Sequence, residues 1–321
     1  MFTIKDLKDR KKNHEHLIEC PVLNCNIFVD RRRLKGNEGK IFVCIEHNIL
    51  ITPSTFIYQN LRNNLLDDTD LILLNKIFKS KRESRLRNDN SEDAVSWNIF
   101  RYLETENILL KWLNNVSNES HSEIKIMYWS FWEEGTYHLL TNARCEFGED
   151  KIKGSEPDII IITDKTLFII EAKLFSSNKT SGYGQQLSKR KDCSKKYKNG
   201  GNNLFDELFT SNYNDIVKDQ KYELMRFWLL GFWMAKQKGK NFQLINLVLD
   251  RNEKEIETNF GKHIVQNSNR KFSRITWESI YHFIKEHGSD NLKKERVLNY
   301  FENKGSGYNN NGKIKRKAFD V

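Results

Sequence analysis

The sequence predicts an α/β protein with a mixed central sheet flanked by helices, preceded by a small cysteine-rich segment. Two apolar, β-branched runs, Asp158–Ile162 and Thr166–Glu171, are separated by three turn residues and predict an antiparallel hairpin covered on both faces. Gln220–Ala235 is almost wholly apolar after its polar start and predicts a helix. The apolar run Phe242–Leu249 predicts a further buried strand.

The other elements follow from caps and apolar patterns. Ser91 is a suitable N-cap for a helix through Glu104, because Glu92 and Asp93 then lie in the first turn, where the helix dipole favours acids. That helix either continues or breaks and restarts before Leu113. Further segments are a helix at Asp70–Phe78, strands at Asn26–Val29, Lys40–Cys44, Ile124–Phe131 and Leu139–Glu146, and a helix at Trp277–Lys285.

Four regions follow one another along the chain. They are a cysteine-rich segment at residues 1–78, a basic linker at 79–90, an α/β domain at 91–302 and a basic, Gly- and Asn-rich tail at 303–321. The linker lacks apolar periodicity, and we expect the tail to be disordered.

Composition places the chain among globular proteins. Its 321 residues are 38% hydrophobic and 30% charged, which excludes a disordered chain and a membrane protein. No apolar run reaches the roughly 18 residues of a membrane-spanning helix. Met1 is followed by charged residues rather than by the apolar core of a signal peptide. We therefore expect a soluble, cytoplasmic protein.

The charge balance predicts a polyanionic partner. A net charge of +10 and a pI near 9.2 favour nucleic acid or an anionic membrane surface, and composition alone does not choose between them. Five cysteines, an odd number in a reducing compartment, indicate metal ligands or free thiols rather than a disulfide scaffold.

Three cysteines and a histidine near the amino terminus predict a zinc site. They form two closely spaced pairs, Cys20 with Cys25 and Cys44 with His47, separated by a Gly-rich turn. Structural Zn²⁺ takes four sulfur or nitrogen ligands, which short loops supply in pairs. A segment of this size gains stability from a metal because its core is small. We therefore predict a zinc ribbon.

Other cysteines and histidines are weaker candidates for that site. His14 and His16 are alternative ligands to His47, although they lie farther from a turn. Cys145 and Cys193 have no neighbours at ligand spacing, so we expect them to be free thiols.

The predicted hairpin brings ionisable groups together at one end. A turn centred on Asp164 and Lys165 places Asp158 directly opposite Glu171, and the two-residue period of a strand places Lys173 on the face of Glu171. Two carboxylates that close repel each other unless a cation lies between them. Paired carboxylates bind Mg²⁺ or Mn²⁺, and a lysine beside them suits phosphodiester hydrolysis.

These residues carry a resemblance to a known family. The run Glu156-Pro157-Asp158, followed after twelve residues by Glu171-Ala172-Lys173, resembles the PD-(D/E)XK motif of the restriction-endonuclease-like nuclease superfamily. The resemblance extends over residues 91–286 and includes an acid-bearing helix before the hairpin. It implies a restriction-endonuclease-like sheet and a nuclease activity.

The resemblance also implies roles for individual residues. Asp158 and Glu171, with the carbonyl of Ala172, would bind the catalytic metal, and Lys173 would be the catalytic lysine. Glu92 would be a further ligand or water-positioning acid, with Asp93 and Glu104 as alternatives on the same helix.

Nucleic-acid contacts are expected on the elements that follow the lysine strand. Many members of the superfamily carry a Gln and a Tyr there. Two stretches of this chain are candidates, one around Gln185 and one comprising Gln220, Tyr222 and Arg226. A basic run that begins with Lys189, Arg190 and Lys191 lies between them and favours phosphate binding.

Together these features predict an Mg²⁺- or Mn²⁺-dependent nuclease with a structural Zn²⁺. DNA is the substrate that the superfamily implies, with no membrane partner, and a homodimer or a partner subunit is left open. A prokaryotic defence effector, antiviral or restriction-like, is the setting that we expect. The alternatives are a non-catalytic or partner-activated nucleic-acid-binding subunit and a repair or junction nuclease. No phosphate-binding Gly-x4-Gly-Lys-Ser/Thr loop is present, which disfavours an NTPase.

Overall fold

A computed structural model describes residues 1–12, 16–31, 42–67, 69–79, 83–132, 135–151, 154–180 and 194–321. The chain divides into two compact units. The first combines Met1–Ile108 with Ile280–Val321, and the second is the continuous segment Leu109–Ser279. This division differs from the boundaries predicted at residues 78, 90 and 302, because both ends of the chain belong to one unit. Where independently folding pieces begin and end stays a prediction.

In the amino-terminal part of the first unit, the described residues form five short strands and two 3₁₀ turns. In chain order they are the turn Ile4–Asp6, β1 (Leu17–Glu19), β2 (Phe28–Asp30), β3 (Val43–Cys44), β4 (Ile49–Ile51), β5 (Phe56–Tyr58) and the turn Leu61–Asn64. β1 pairs with β2, and β3, β4 and β5 form a second antiparallel sheet. Cys20, Cys25 and Cys44 belong to the small buried core among these strands.

Three helices follow, α1 (Leu71–Ile77), α2 (Glu83–Leu86) and α3 (Glu92–Thr105). The predicted cap of α3 is confirmed, since the Ser91 hydroxyl accepts a hydrogen bond from the backbone N–H of Ala94 at 3.2 Å. The helix does not continue to Leu113. Asn107 has a φ of 58°, which an α-helix does not tolerate, and a new helix starts at Leu109.

The second unit is a mixed sheet with helices. Its elements are α4 (Leu109–Ser117), β6 (Ile124–Tyr128), β7 (Phe131–Trp132), β8 (Gly135–Thr136), α5 (His138–Glu146), β9 (Ile159–Thr163), β10 (Thr166–Ala172), α6 (Ser194–Leu208, kinked at residues 200–203), α7 (Tyr213–Lys218), α8 (Tyr222–Gln237), β11 (Asn241–Val248), α9 (Ile256–Gly261) and β12 (Arg270–Thr276). The strand order is β12-β11-β10-β9-β6-β7-β8. β10, β11 and β12 are parallel and the other neighbours antiparallel, so the predicted fold class is confirmed.

The hairpin of β9 and β10 lies at the centre of this sheet. Ile170 pairs with Ile159, and this register is the predicted one. Every residue of β10 is buried, as the unbroken apolar run predicted. α8 packs against β10 and β11, and Gly231 permits the close approach, because a Cβ there would lie 2.2 Å from the ring of Phe242.

One predicted strand is a helix in the structure. Residues 139–146 were expected to form a strand, but α5 occupies them. Leu140, Ala143 and Phe147 are fully buried at spacings of three and four residues, which is the period of a helix. A short apolar pattern does not separate the two periods, so packing decided between them.

The carboxyl-terminal part of the chain also differs from prediction. After α10 (Trp277–His287) and α11 (Leu292–Asn303), residues 303–321 were expected to be disordered. In the structure this segment forms isolated β-bridges, and Ala318 and Phe319 are buried. Lys304 forms a buried ion pair with Asp89 at 3.0 Å, so a basic residue of the tail is part of the interior of the first unit.

None of the helices in the described ranges combines the length and the apolar character needed to cross a membrane.

Candidate active site and metal centre

The ends of β9 and β10 bring Asp158, Glu171 and Lys173 together, as the sequence predicted. Asp158 precedes β9 by one residue, and its Oδ2 accepts a hydrogen bond from the backbone N–H of Ala172 at 2.9 Å. Lys173 Nζ lies 2.5 Å from Glu171 Oε1. The three ionisable groups therefore form one cluster at the end of an apolar hairpin.

Glu171 is buried in a way that a simple ion pair does not explain. Its side chain is 5% exposed, and Oε2 accepts no hydrogen bond from any residue that the structure describes. Burial, and then the charge of Asp158, raise the pKa of this carboxyl well above its usual range. A buried carboxylate oxygen without a donor is costly unless a cation satisfies it. The donor set thus fits a divalent metal, which prefers oxygen ligands.

A second buried polar atom lies in the same row of the sheet. Asn246 on β11 pairs directly with Glu171 on β10, so the two side chains are on one face. Asn246 is fully buried, its Oδ1 accepts a hydrogen bond from Asn178 Nδ2 at 2.9 Å, and its Nδ2 has no acceptor among the described residues. Asn246 is not among the residues that the sequence predicted, because a single Asn in a strand carries no local signal.

Lys173 contacts a further acid that sequence reasoning missed. Its Nζ lies 3.0 Å from Glu223 Oε2, so the ammonium lies between Glu171 and Glu223. Burial alone would lower the pKa of Lys173, but Glu171, Glu223 and Asp158 outweigh it and raise that pKa. Glu223 lies within the stretch selected for nucleic-acid contacts, but only the packing of α8 shows that it faces the hairpin.

Backbone hydrogen bonds fix the lysine and the start of α8. The N–H of Lys173 donates to the carbonyl of Leu247 at 2.7 Å, and the carbonyl of Lys173 accepts from the Trp277 indole at 3.2 Å. Thr180, on the segment that leaves β10, accepts at its Oγ1 from the N–H of Glu223 at 2.8 Å and at its carbonyl from the N–H of Tyr222 at 3.2 Å. The chain after the lysine strand therefore holds the first turn of α8 in place.

Arg226, a predicted nucleic-acid contact, binds the buried carboxylate of Glu149. Its Nε and Nη2 donate to the two oxygens of Glu149 at 3.2 and 3.3 Å. Glu149 also accepts from the backbone N–H and the hydroxyl of Ser155 and from the hydroxyl of Tyr197. The Tyr197 hydroxyl lies 3.3 Å from that of Tyr222. This network attaches α8 to the loop that leads into Asp158, which gives Arg226 and Tyr222 a structural role in addition to any ligand contact.

The other predicted site residues are placed as follows. Gln220 is exposed in the turn before α8, with a φ of 59°. Glu92 lies in the first turn of α3 in the first unit, so its catalytic role stays a prediction. The predicted contacts Gln185, Lys189, Arg190 and Lys191 lie outside the described residues.

The predicted zinc ligands form one cluster. The ligand atoms of Cys20, Cys25, Cys44 and His47 all lie within 4.8 Å of one another. His47 Nδ1 is 3.7 Å from Cys20 Sγ and 3.6 Å from Cys44 Sγ, and the sulfurs of Cys25 and Cys44 are 3.8 Å apart. Tetrahedral Zn²⁺ separates two sulfur ligands by about 3.8 Å and a sulfur from a nitrogen by about 3.5 Å. The spacing therefore fits zinc.

One of the alternative zinc ligands lies outside the Cys₃His cluster. His16 is not part of it, and His14 and Cys193 lie outside the described residues. Cys145 is an exposed free thiol, as predicted. Burial raises the pKa of Cys20 and Cys25, so without a cation these groups would remain neutral thiols packed against one another.

Comparison with known families agrees with this geometry. Residues 119–248 match the model of the nuclease-related domain. The matched segment spans the hairpin, Glu223 and β11, and it supports the nuclease-type fold to which the motif pointed. No curated protein and no solved structure matches the chain at a significant level.

Proposed function

We propose that this protein, whose residues 119–248 match a nuclease-related domain, is a metal-dependent nuclease that hydrolyses phosphodiester bonds in DNA. One observation supports this most strongly. Asp158, Glu171 and Lys173 converge at the end of the hairpin, where Glu171 Oε2 is buried without a hydrogen-bond donor in the described part of the chain. DNA is preferred over RNA because of the resemblance to restriction-endonuclease-like enzymes.

The residues of the hairpin have distinct roles in this proposal. Asp158, Glu171 and the carbonyl of Ala172 would hold Mg²⁺ or Mn²⁺, and Glu92 is a further candidate acid. A cation there supplies a Lewis acid that polarises the phosphodiester. In hydrolysis a water oxygen bonds to phosphorus while the bond to the leaving sugar oxygen breaks, and that sugar oxygen takes up the proton that the water gives up. Lys173 orients that water and offsets the negative charge that develops on the phosphate.

Basic residues are assigned to substrate binding. Gln185, Lys189, Arg190 and Lys191 would contact the phosphate backbone, together with Gln220, Tyr222 and the exposed part of Arg226. Phosphate contacts of this kind make affinity depend strongly on salt concentration. Cytoplasmic defence against foreign DNA, as a homodimer or with a partner subunit, is the setting that we propose for this activity.

We assign a structural zinc ion to Cys20, Cys25, Cys44 and His47. Their mutual distances fit tetrahedral coordination, and the surrounding strands are only two or three residues long. Strands this short bury little apolar surface, so metal binding supplies folding free energy to this part of the chain.

Plasmid cleavage tests the nuclease proposal. We expect purified protein to cut DNA with Mg²⁺ or Mn²⁺, to stop in EDTA, and to lose cleavage on Lys173→Ala. Lys165→Ala is the matched control, because Lys165 lies at the opposite end of the same hairpin and its ammonium donates to the carbonyl of Ser120. Cleavage that survives Lys173→Ala would place the activity elsewhere. A folded wild type that binds DNA without cutting it would instead support the non-catalytic or partner-activated alternative.

A further inference from the structure

We infer that Glu223 is a positioning residue of the hydrolytic site, which holds the ammonium of Lys173 in place when Glu171 binds the metal. This inference rests on the proposed nuclease function, and Glu223 is not among the residues that the PD-(D/E)XK motif marks. Three features of the structure support it: the contacts of Lys173, the attachment of Glu223 to the fold, and the charge of the cluster.

Lys173 lies between two carboxylates. Its Nζ is 2.5 Å from Glu171 Oε1 and 3.0 Å from Glu223 Oε2, and its side chain is only 12% exposed. Glu171 is also the carboxylate whose buried Oε2 accepts no hydrogen bond within the described ranges, so it is the one that a metal ion would engage. When Glu171 serves the metal, Glu223 remains as the anion dedicated to the lysine.

Glu223 is firmly attached to the fold. It lies in the first turn of α8, a helix of 16 residues, where the helix dipole favours a carboxylate. Its backbone N–H donates to Thr180 Oγ1, and Thr180 belongs to the segment that directly follows the lysine strand. Leu224, Phe227 and Trp228 of the same helix are buried. The helix is thus held by apolar packing, and Glu223 is not required for it to fold.

The charges of the cluster indicate the same role. Asp158, Glu171 and Glu223, when ionised, carry three negative charges against the one positive charge of Lys173. The remaining charge of minus two is what a divalent cation neutralises. Without Glu223, the ammonium would lose the anion that holds it beside the attacking water while Glu171 serves the metal.

The test compares Glu223→Gln with the wild type in the full-length protein. We expect kcat for DNA cleavage to fall roughly 10- to 100-fold with KM nearly unchanged, as for other residues that orient a group at a metal site. Calorimetric Mn²⁺ affinity is expected to stay close to the wild-type value, because Glu223 contacts Lys173 rather than the metal ligands. Glu223→Asp is expected to recover part of the lost kcat. Glu255→Gln, an exposed acid at the start of α9, is the matched control.

Two kinetic outcomes would overturn the inference. One is an unchanged kcat in Glu223→Gln. The other is a loss of Mn²⁺ affinity as large as the loss of kcat, which would make Glu223 a metal ligand instead.

A readout that does not need cleavage separates this inference from the proposed function. In ¹⁵N-lysine-labelled protein loaded with Ca²⁺, the Lys173 ammonium is expected to give a protected NMR signal, assigned by its absence in Lys173→Arg. We expect Glu223→Gln to abolish that signal, and its persistence would refute the positioning role. If the signal is lost in Glu223→Gln but the wild type cuts no DNA, the positioning contact stands and the nuclease proposal fails.

Discussion

Two buried glutamates of the second unit have almost the same exposure and opposite surroundings. The side chain of Glu149 is 2% exposed and that of Glu171 is 5% exposed. Both oxygens of Glu149 accept hydrogen bonds, from Ser155, Tyr197 and Arg226, whereas one oxygen of Glu171 accepts none from the described residues. Protein hydrogen bonds therefore satisfy both oxygens of Glu149, whereas the described residues leave one oxygen of Glu171 available to a cation.

The pKa values of the two carboxyl groups are shifted in opposite directions. Burial favours the neutral form of Glu149, but Arg226 and the donors of Ser155 outweigh it and lower the pKa of that carboxyl. At Glu171 burial and the charge of Asp158 act together, and the pKa is raised well above its usual range. Hydrogen bonding around the carboxylate, rather than depth of burial, therefore separates a structural acid from one that is available to a ligand.

Glu171→Gln should have the largest effect on function. We expect DNA cleavage to fall by roughly 1,000-fold or more, because the amide no longer supplies an anionic metal ligand. Stability in EDTA should be unchanged or higher, since the variant removes a buried carboxylate whose Oε2 has no donor among the described residues. Cleavage assays and urea denaturation measure the two quantities. A large loss of stability would mean that Glu171 is structural, as Glu149 is.

The Cys₃His cluster extends the comparison to the site to which we assign a zinc ion. Cys44→Ser should reduce zinc content from about one ion per chain to nearly none and strongly destabilise the amino-terminal strands. Cys145→Ser is the matched control, because Cys145 is an exposed thiol on α5. Elemental analysis and thermal melting test the prediction. Full zinc content in Cys44→Ser would remove Cys44 from the ligand set.

Glu149→Gln should destabilise the protein without removing a metal ligand. We expect a loss of about 2 kcal/mol in the free energy of unfolding, because the guanidinium of Arg226 loses its buried anionic partner while the amide keeps part of the hydrogen bonding. Denaturant unfolding measures the loss, and Mn²⁺ affinity should be retained. A stability equal to that of the wild type would contradict the structural role.

The ion pair of Glu149 with Arg226 predicts that stability depends on pH. Because the pKa of Glu149 is lowered in the folded state, its contribution to stability is present above the ordinary glutamate pKa of 4.5 and is lost as the pH falls through the lower folded-state pKa. The stability of Glu149→Gln should therefore fall less steeply on acidification than that of the wild type. Parallel curves for the two proteins would show that Glu149 does not titrate in this range.

A buried histidine should give the smallest effect. His263 lies 3.1 Å from Asp219 Oδ2 and 2.8 Å from the Ser211 hydroxyl, and burial lowers its pKa despite the opposing charge of Asp219. Its contribution to stability is thus present above the ordinary pKa of 6.5 and decreases as the pH falls below it. His263→Gln should flatten the stability curve between pH 7 and 5 by about 1 kcal/mol or less. An unchanged slope would contradict the assignment.

The predictable parts of the molecule share a physical property. The register of the hairpin, the cap of α3 and the Cys₃His cluster all depend on residues close together in the chain or on a strict strand period. A two-residue period assigns every side chain of the hairpin to a face once the turn is located, so Asp158, Glu171 and Lys173 were found from the sequence. Local geometry suffices in these cases.

The missed parts depend on packing between distant segments. Residues 139–146 form α5 because Leu140, Ala143 and Phe147 enter the core together, which their short apolar pattern does not specify. Residues 303–321 are rich in Gly, Asn and Lys, yet Lys304 finds a buried partner in Asp89. In both cases the partner that decides the conformation lies far away in the sequence.

By itself, the sequence determined a mixed α/β sheet, a hairpin that ends in two acids and a lysine, and a Cys₃His cluster, because strand period and ligand spacing are local. Only the tertiary structure placed Glu223 beside Lys173, joined Arg226 to Glu149 and left one oxygen of Glu171 without a donor among the residues that the structure describes. These features depend on which face of α8 meets the hairpin. The orientation of α8 follows from the packing of Gly231, on α8, against Phe242 on β11. No spacing in the chain encodes this contact between distant segments.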